Sequence, residues 1–321
     1  MASAPKTLQE AIIYFADADN ALNYLVAKRW PNGVACPTCG STEVKFLSNQ
    51  KRWECKGKHP KRQFSAKVGS IFEDSPLSLD KWLCATWMVT NCKNGVSSYE
   101  IHRAIGVTQK TAWFMLHRIR LGMQAKDGGK IGGPGKEIEA DESFIGGRAR
   151  NMHGDVKARK IQGRRGPQGK AIVAAVLERG GKIRVSVVER RKKKNLQAMV
   201  RDNVTAGAAL YTDALKSYDG LDSEYTHKVI DHAEAYVDGV VHTNNCENFW
   251  SLLKRGLKGT YVSVEPYHLF RYLDEQTFRY NNRKASDAER FDLAVRQIIG
   301  KRLTWTEVTG NGLDPEARPL N

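Results

Sequence analysis

The sequence predicts a multidomain α/β protein in which small N-terminal domains precede a larger domain built on a mixed β-sheet. Three observations predict this fold class. Closely spaced cysteines with strand-like alternation lie within the first 75 residues, and helical periodicity then continues to residue 125. Beyond a glycine-rich stretch the pattern changes to strands that alternate with helices. A chain of 321 residues is long enough for two or three domains with separate cores.

The domain boundaries are placed where this pattern changes. The glycine-rich stretch KDGGKIGGPGK is the clearest boundary, since a run of this kind is typical of a linker. We therefore divide the chain into an N-terminal helix with a cysteine-rich ribbon (1–75), a helical region (76–125), a linker (126–135), a mixed-sheet domain (136–285) and a tail (286–321).

The charge balance points to a polyanionic partner. The chain has 51 Lys and Arg against 35 Asp and Glu, a net charge of +16, which favours nucleic acid over the alternative of a generally basic solvated surface. No apolar run approaches the ~18 residues of a transmembrane span, and the first residues lack the pattern of a signal peptide. We therefore expect a cytoplasmic protein whose six cysteines are not paired in disulfides.

The first cysteines form a metal-binding pattern. Cys36-Pro-Thr-Cys39 is a CxxC knuckle, and Cys55 and His59 follow a hairpin-like segment. Together they make a Cys3His set for structural zinc, with a chance CxxC in a loop as the alternative. A ribbon this small would depend on the metal for its core. Its basic side chains would face DNA phosphates: Lys51, Arg52, Lys56, Lys58, Lys61 and Arg62.

Residues 77–123 predict three helices, the last two with helix-turn-helix spacing. Ser97 and Glu100 form a capping box, Gly106 marks the turn, and Thr108 caps the last helix. That helix is the candidate reader of the major groove, although an ordinary helical hairpin would give a similar pattern. The side chains expected on or near its exposed face are Gln109, Lys110, Trp113, His117 and Arg118.

The mixed-sheet domain is predicted to have five strands. A first strand at 136–145 precedes a basic loop at 148–170 and a hairpin at 171–190. A helix follows, and then come a fourth strand, AALYTD, and a fifth strand, HKVID. The last elements are helices at 243–258 and 269–283. The order is three strands, a helix, a fourth strand, a fifth strand with room for a helix before it, and two final helices.

Two of the predicted strands and one of the predicted helices carry an acidic residue that could bind a metal ion. Asp141 lies in the first strand, Asp213 ends the fourth, and Glu247 lies on a helix with Lys254 two turns later on the same face. Hard carboxylates suit Mg²⁺, and two such ions about 3.5–4 Å apart can act on a phosphodiester. The alternative for a strand-end Asp is a helix cap. Cys246 could act as a nucleophile only with an activating base, so the neighbouring acids explain this segment better.

At this point the chain resembles a known family. The segments ADESFIGG, YTDALKSY, HTNNCENFWSLLKRGLKGTY and HLFRYLDEQTFRYNNR are similar to the transposases of Merlin-related bacterial insertion sequences, the ISXO-type DDE group. CPTCG and TAWFMLHRIR match the N-terminal half of the same group, so the resemblance covers roughly residues 20–285. It implies a ribonuclease H-like catalytic core, DNA transposition and dependence on Mg²⁺ or Mn²⁺, with two ions.

The resemblance also assigns roles by position. It implies that Asp141 and Asp213 are the first two metal ligands, that Glu247 is the third and that Lys254 contacts DNA. Some members of the group are described with Asn as the third catalytic residue, so Asn244 remains an alternative. We favour Glu247, because a carboxylate binds Mg²⁺ better than an amide does.

The expected function is DNA transposition by a bacterial, nucleoid-associated protein. It would bind terminal inverted repeats, cut there and join the freed end to target DNA, as a homodimer or larger assembly. A domesticated DNA-binding regulator and a metal-dependent nuclease are the alternatives. Apart from the ribbon, the expected DNA contacts are Lys110, Trp113, Arg118, Arg164, Arg165, Lys192, Lys193, Lys254 and Arg255.

Overall fold

The computed structural model describes residues 4–125, 129–147, 154, 169–230 and 242–310. These residues divide into two compact units. Residues up to 125 and from 282 onward make the first, and those from 129 to 281 make the second. The expected DNA contacts Arg164 and Arg165 lie outside the described residues.

The first unit begins with two helices where the sequence shows one helical stretch. Helix α1 (Leu8–Ala16) ends before Asp17, and α2 (Ala18–Arg29) follows directly. The Asp17 side chain accepts hydrogen bonds from the backbone amides of Asp19 at 2.8 Å and Asn20 at 3.1 Å. It therefore caps the start of α2 and turns the chain between the two helices.

The ribbon is a three-stranded antiparallel sheet. Its strands β1 (Val44–Leu47), β2 (Arg52–Cys55) and β3 (Gln63–Phe64) lie in chain order. Aromatic rings pack around Trp53, whose ring lies 5.0 Å from that of Phe46, 5.7 Å from that of Trp30 and 6.1 Å from that of Phe64. So little apolar surface cannot stabilise a ribbon without a further cross-link.

Three helices follow: α3 (Leu79–Asn91), α4 (Ser98–Ile105) and α5 (Gln109–Met123). The predicted capping box of Ser97 and Glu100 is present, and Thr108 caps α5 through the amide of Thr111. Gly106 ends α4 with a φ of +62°, a conformation that glycine adopts without a steric penalty.

The C-terminal segment packs into this first unit. Helix α9 (Asp287–Gln297) inserts Phe291 beside Trp87 of α3 and Tyr24 of α2, at ring distances of 4.8 and 5.7 Å. A short helix, α10 (Trp305–Thr309), follows and lies against α5. The C-terminal segment therefore completes the helical core of this unit.

This packing corrects the expected exposed face of α5. Arg118 is buried, and its guanidinium donates to the carbonyls of Leu303 at 3.0 Å and Glu73 at 2.6 Å. His117 is buried as well. The expectation that these two side chains lie on or near the exposed face is wrong, and for Arg118 the reason is its contact with Leu303 of the C-terminal segment.

The second unit is built on a five-stranded mixed sheet. The strands are β5 (Glu137–Ile145), β6 (Ala171–Glu178), β7 (Ile183–Val188), β9 (Ala209–Asp213) and β10 (Thr226–Ile230). They lie in the order β10-β9-β5-β6-β7. Strands β10, β9 and β5 run parallel to one another, and β6 and β7 are each antiparallel to the strand before them. A separate two-stranded ladder of β4 (Ile131–Gly132) and β8 (Val204–Thr205) was not predicted.

Helices cover both faces of the sheet. Helix α6 (Lys193–Asn203) packs with Ile138, Ala140 and Val176 on one face. Helices α7 (Asn244–Gly259) and α8 (Leu269–Asn281) pack with Val173 and Ala175 on the other. Alternate residues of β5 and β6 thus supply two separate cores. Within the described part of the chain, none of the helices has the length and apolar character needed to cross a membrane.

Candidate functional site

A buried carboxylate joins strand β5 to helix α7. The Glu139 side chain is fully buried, and it accepts from the backbone amides of Asn245 at 2.9 Å and Cys246 at 3.1 Å. The Asn245 side chain and Arg179 donate to its other oxygen, at 2.7 and 2.8 Å. The free amides and positive dipole at a helix N-terminus favour such an anion. Glu139 therefore fixes the start of α7 over the middle of the sheet.

Asp141 lies two residues further along β5, on the same face as Glu139. Its carboxylate accepts from the indole nitrogen of Trp250 on α7 at 2.9 Å and from the backbone amide of Glu142 at 2.8 Å. Burial raises the pKa of Asp141 to about 7, and the charges of Glu142 and Asp213 add to this rise. The hydrogen bonds from Trp250 and the amide oppose it. A carboxylate in this setting favours a bound cation.

Asp213 ends the neighbouring strand β9. The parallel register pairs Ala140 with Thr212, so Asp141 and Asp213 come next on adjacent strands and share one face. One Asp213 oxygen accepts from the backbone amide of Leu215 at 3.2 Å, which is the capping role that a strand-end Asp can also take. The other lies 3.7 Å from the guanidinium of Arg191.

Glu142 and Arg191 are site residues that the sequence did not single out. Glu142 accepts from the Tyr218 hydroxyl at 2.9 Å and forms an ion pair with Arg191. Arg191 therefore bridges Glu142 and Asp213 and offsets their mutual repulsion. The signals available in the sequence were the second acid of ADES and the second cation of the basic run 190–194, which leads into α6.

Helix α7 directs further functional groups to the same place. Trp250 contacts Asp141, and Glu247 and Lys254 lie three residues before and four residues after it, on the same side of the helix. Burial and neighbouring lysines lower the pKa of Lys254, whereas the charge of Asp141 raises it. Asn244 is exposed one turn before Glu247, so both remain candidates for the third ligand.

The three acids are less tightly gathered than a closed metal site. Among the described residues, the acids Asp141, Asp213 and Glu247 do not form a set whose ligand atoms all lie within 4.8 Å of one another, the separation reached by the cysteine–histidine set. These carboxylates instead lie on two neighbouring strands and a helix, Asp141 largely buried and Glu247 exposed.

The expected DNA contacts differ in exposure. Lys110, Lys192, Lys193 and Arg255 are exposed. Trp113 is half-buried, with its ring 5.9 Å from that of Trp305. As described above, Arg118 is buried.

The predicted zinc ligands come together in the ribbon. The ligand atoms of Cys36, Cys39, Cys55 and His59 all lie within 4.8 Å of one another. The Cys36 sulfur is 3.4 Å from His59 Nε2, and the sulfurs of Cys39 and Cys55 are 3.6 Å apart. His59 Nδ1 is 2.7 Å from the carbonyl of Pro60, which fixes the ring with Nε2 toward the sulfurs.

The surroundings of these ligands fit a tetrahedral metal ion. The backbone amide of Gly57 lies 3.3 Å from the Cys55 sulfur, and a Cβ at Gly57 would come within 3.5 Å of Cys55, His59 and Cys39. Burial opposes ionisation of Cys36, but hydrogen bonds from the knuckle amides and neighbouring thiols lower its pKa to about 6. Thiolate character of this kind, with one imidazole, is what structural zinc binds.

Comparison with known proteins finds family models that match the ribbon and the second unit. Residues 131–281 match the model of the ISXO2-like transposase domain, and residues 16–57 match that of the transposase zinc-ribbon domain. The chain is 28% identical over 257 residues to a protein of transposable element ISH50 from Halobacterium salinarum, covering 76% of this chain and 84% of that protein. It is 32% identical over 102 residues to a transposase-like protein of Haemophilus influenzae, covering 32% of this chain and 82% of that protein. The zinc-ribbon match and the Cys3His set together indicate structural zinc.

Removing a zinc ligand is expected to unfold the ribbon. The Cys55→Ser variant should lose its metal, because the metal replaces a packed core in the ribbon. The tryptophan fluorescence of the protein should then shift to longer wavelength as Trp53 becomes exposed to solvent. Metal content by mass spectrometry and fluorescence would be measured together. The matched control is Cys92→Ser, an exposed cysteine outside the set. A purified native protein that holds no zinc would contradict the assignment.

Removal of the Glu139 side chain is expected to loosen α7. The Glu139→Ala variant should lose about 3 kcal/mol of unfolding free energy, because it leaves the first amides of α7 without their acceptor and removes the buried partner of the half-buried Arg179. Urea denaturation would measure this loss. Glu137→Ala on the same strand is the control, since the Glu137 carboxylate is much more exposed. Equal losses in both variants would contradict the anchoring role.

The acidic cluster is expected to make metal-free stability depend on pH. The pKa of Asp141 in the folded protein, about 7, lies above its unfolded value, so folding favours the protonated form. Its contribution is therefore lost as the pH rises from about 4 to about 7. In magnesium-free buffer, Asp141→Asn should be more stable than the native protein above pH 7, by on the order of 2 kcal/mol, with little difference at pH 4. A difference that does not change with pH would refute this explanation.

Proposed function

The chain belongs to the family of ISXO2-like transposases, and from this premise we propose that it cleaves DNA at the ends of its element and joins them to target DNA. The observation that carries the proposal is the position of Asp141. It lies beside Asp213 on neighbouring strands and accepts a hydrogen bond from the helix that bears Glu247 and Lys254. Two strand carboxylates facing a helix with an acid and a lysine suit metal-dependent phosphoryl transfer.

The fold of the second unit supports a ribonuclease H-like catalytic core. The sheet has three parallel strands continued by two antiparallel ones, and helices cover both faces. Asp141 lies on the central strand and Asp213 on its parallel neighbour. This proximity suits two residues that the family resemblance implies are metal ligands. In the first unit, α4 and α5 have the length and glycine turn of a helix-turn-helix.

Each residue has a proposed role. Asp141 and Asp213 would hold Mg²⁺, with Glu247 as the third ligand and Asn244 as the alternative. When bound there, Mg²⁺ supplies Lewis acidity toward the phosphodiester and its attacking oxygen. Trp250 orients the Asp141 carboxylate through its indole hydrogen bond. Lys254 would hold a DNA phosphate beside the acids.

The proposed reaction has two displacements at phosphorus. Water attacks the phosphodiester at the end of the element, and the bond to the 3′ oxygen breaks to give a 3′-hydroxyl and a 5′-phosphate. That hydroxyl then attacks a target phosphodiester in line and releases a target 3′-hydroxyl. Each step exchanges one P–O bond for another, so no covalent protein–DNA intermediate is required.

DNA binding is distributed over both units in this proposal. The exposed cations of the ribbon and Lys110 at the start of α5 would contact the terminal repeats, while Lys192, Lys193 and Arg255 would contact phosphates near the acids. Two ends must be held together for coordinated joining, so we propose a dimer or larger assembly on DNA. Association with the nucleoid would follow from this affinity.

A strand-transfer assay tests the function directly. Purified protein would be incubated with Mg²⁺, a target plasmid and a labelled duplex carrying the inverted repeat that flanks its gene. Asp213→Ala should reduce joined product by about 10³-fold or more, because a metal ligand is lost. Asp202→Ala, an exposed acid on α6, is the control and should retain activity. Cleavage without joining would favour a nuclease, and repeat binding without either reaction would favour a regulator.

The same assay can separate the two candidates for the third ligand. Glu247→Gln should be as inactive as Asp213→Ala, and Asn244→Ala should retain at least about a tenth of native activity, because a carboxylate is the stronger Mg²⁺ ligand. The reverse order of effects would assign the role to Asn244.

A further inference from the structure

A cleft lies at the end of β5, immediately beyond the acidic site. Its volume is about 630 Å³, and one wall begins three residues after Asp141. Cavities of roughly 300–1,000 Å³ take ligands the size of a nucleotide, whereas a duplex is too wide for them. The lining residues are Phe144, Ile145, Gly146, Gly147, Lys170, Lys254, Leu257, Lys258, Val262, Ser263 and Val264.

Three lysines give the cleft its charge. Within the part of the chain that the structure describes, Lys170, Lys254 and Lys258 have no ion-pair partner within 4 Å, although the protein has many such pairs elsewhere. The Lys254 side chain is half-buried. Unneutralised positive charge in a confined space attracts phosphate. The walls between the lysines are apolar, with Phe144, Leu257 and Val264, and can accommodate the flat face of a base.

Val262 stands at the rim of the cleft in a strained conformation. Its φ is +60°, which is rare for a β-branched residue, and the amide of Ser263 bonds to the carbonyl of Tyr261 at 2.6 Å across it. A three-residue turn with a positive central φ is an uncommon and costly structure. The turn exposes 79% of Val262, more than any other large hydrophobic residue among those described.

Neighbouring contacts hold this turn in place. The Tyr261 ring packs 4.8 Å from Tyr272 of α8, and its hydroxyl donates to the buried Glu275. The amide of Tyr261 bonds to the carbonyl of Gly256 in the last turn of α7, at 3.1 Å. Strain that is held in this way marks a candidate functional feature, because an unconstrained loop would relax.

We propose that this cleft binds an unpaired nucleotide next to the scissile phosphate, and that Val262 is the wedge that keeps it out of the base stack. The lysines would hold the phosphates on either side, and the apolar walls would pack against the base. This inference rests on the proposed function, since it names the form of DNA which that site takes. An apolar side chain placed between base steps is a general way to unstack DNA.

A fluorescent base at the DNA end tests the unstacking. The probe is the same repeat duplex with 2-aminopurine as the nucleotide beside the cleavage position, and its fluorescence rises when the base leaves the stack. The native protein should raise the signal several-fold. Val262→Ala and the double variant Lys170→Gln/Lys258→Gln should lose at least half of that rise. Val229→Ala, another exposed valine on β10, is the matched control and should keep it.

A rescue experiment separates the wedge from a structural effect. Val262→Ala should cleave the fully paired end about tenfold more slowly than the native protein, and a substrate with that base pair mismatched should restore the rate. Thermal unfolding of the variant should be unchanged or higher, since the strain at this position is relieved.

The outcomes also separate the two proposals. If the native protein joins strands but Val262→Ala behaves as Val229→Ala does on both substrates, the wedge is wrong and the proposed function stands. A native protein that joins strands without a rise in 2-aminopurine fluorescence would likewise overturn the cleft proposal. If the native protein joins neither substrate, the proposed function fails and the inference fails with it.

Discussion

The arrangement of the candidate site depends on the bond between Glu139 and the start of α7. A fully buried carboxylate is costly unless every lone pair is satisfied, and here two helix amides, an asparagine side chain and Arg179 satisfy them. Because Glu139 precedes Asp141 by two residues on one strand, the same contact sets the height of α7 above Asp141. Trp250 can then reach the Asp141 carboxylate, and the spacing along the helix brings Glu247 and Lys254 to the same side.

The acids beyond this anchor do not stabilise the fold in the way that Glu139 does. Asp141, Glu142 and Asp213 repel one another, and burial raises the pKa of Asp141 to about 7. Among the described residues, Arg191 is the cation that pairs with both Glu142 and Asp213, and it offsets the repulsion between them. In the ribbon, the ligand atoms of the Cys3His set already lie within 4.8 Å of one another, so one ion can contact all four. The four ribbon ligands thus lie as close together as one structural ion requires, whereas Asp141, Asp213 and Glu247 do not.

Local signals in the sequence predicted most of the elements and failed where distant segments decide the environment. Strand alternation, capping boxes and the cysteine spacing act over a few residues, so β5 to β7, α4, α5 and the Cys3His set could be predicted. The burial of Arg118 could not, because its acceptor Leu303 lies 185 residues away in a segment with no recognisable motif. Glu139 was missed for the same reason, because the helix amide of Asn245 that donates to it lies 106 residues away in the chain. An acid beside Asp141 reads as one more surface or metal-binding carboxylate until the helix that covers it is known.

Helix α7 connects the anchor to the proposed wedge. Its 16 residues span about 24 Å, with the Glu139 contact at the first turn and the strained Val262 turn just beyond the last. Between them lie Glu247, Trp250 and Lys254, so the helix carries in order the Glu139 anchor, an acid, the Asp141 contact, the proposed phosphate contact and the proposed wedge. Contacts at both ends of this helix, from Glu139 to its first amides and from the Tyr261 amide to Gly256, connect the acids to the Val262 turn through one element. A nucleotide seated in the cleft would therefore set which phosphate reaches the acids, and the register of cleavage would follow from the length of one helix.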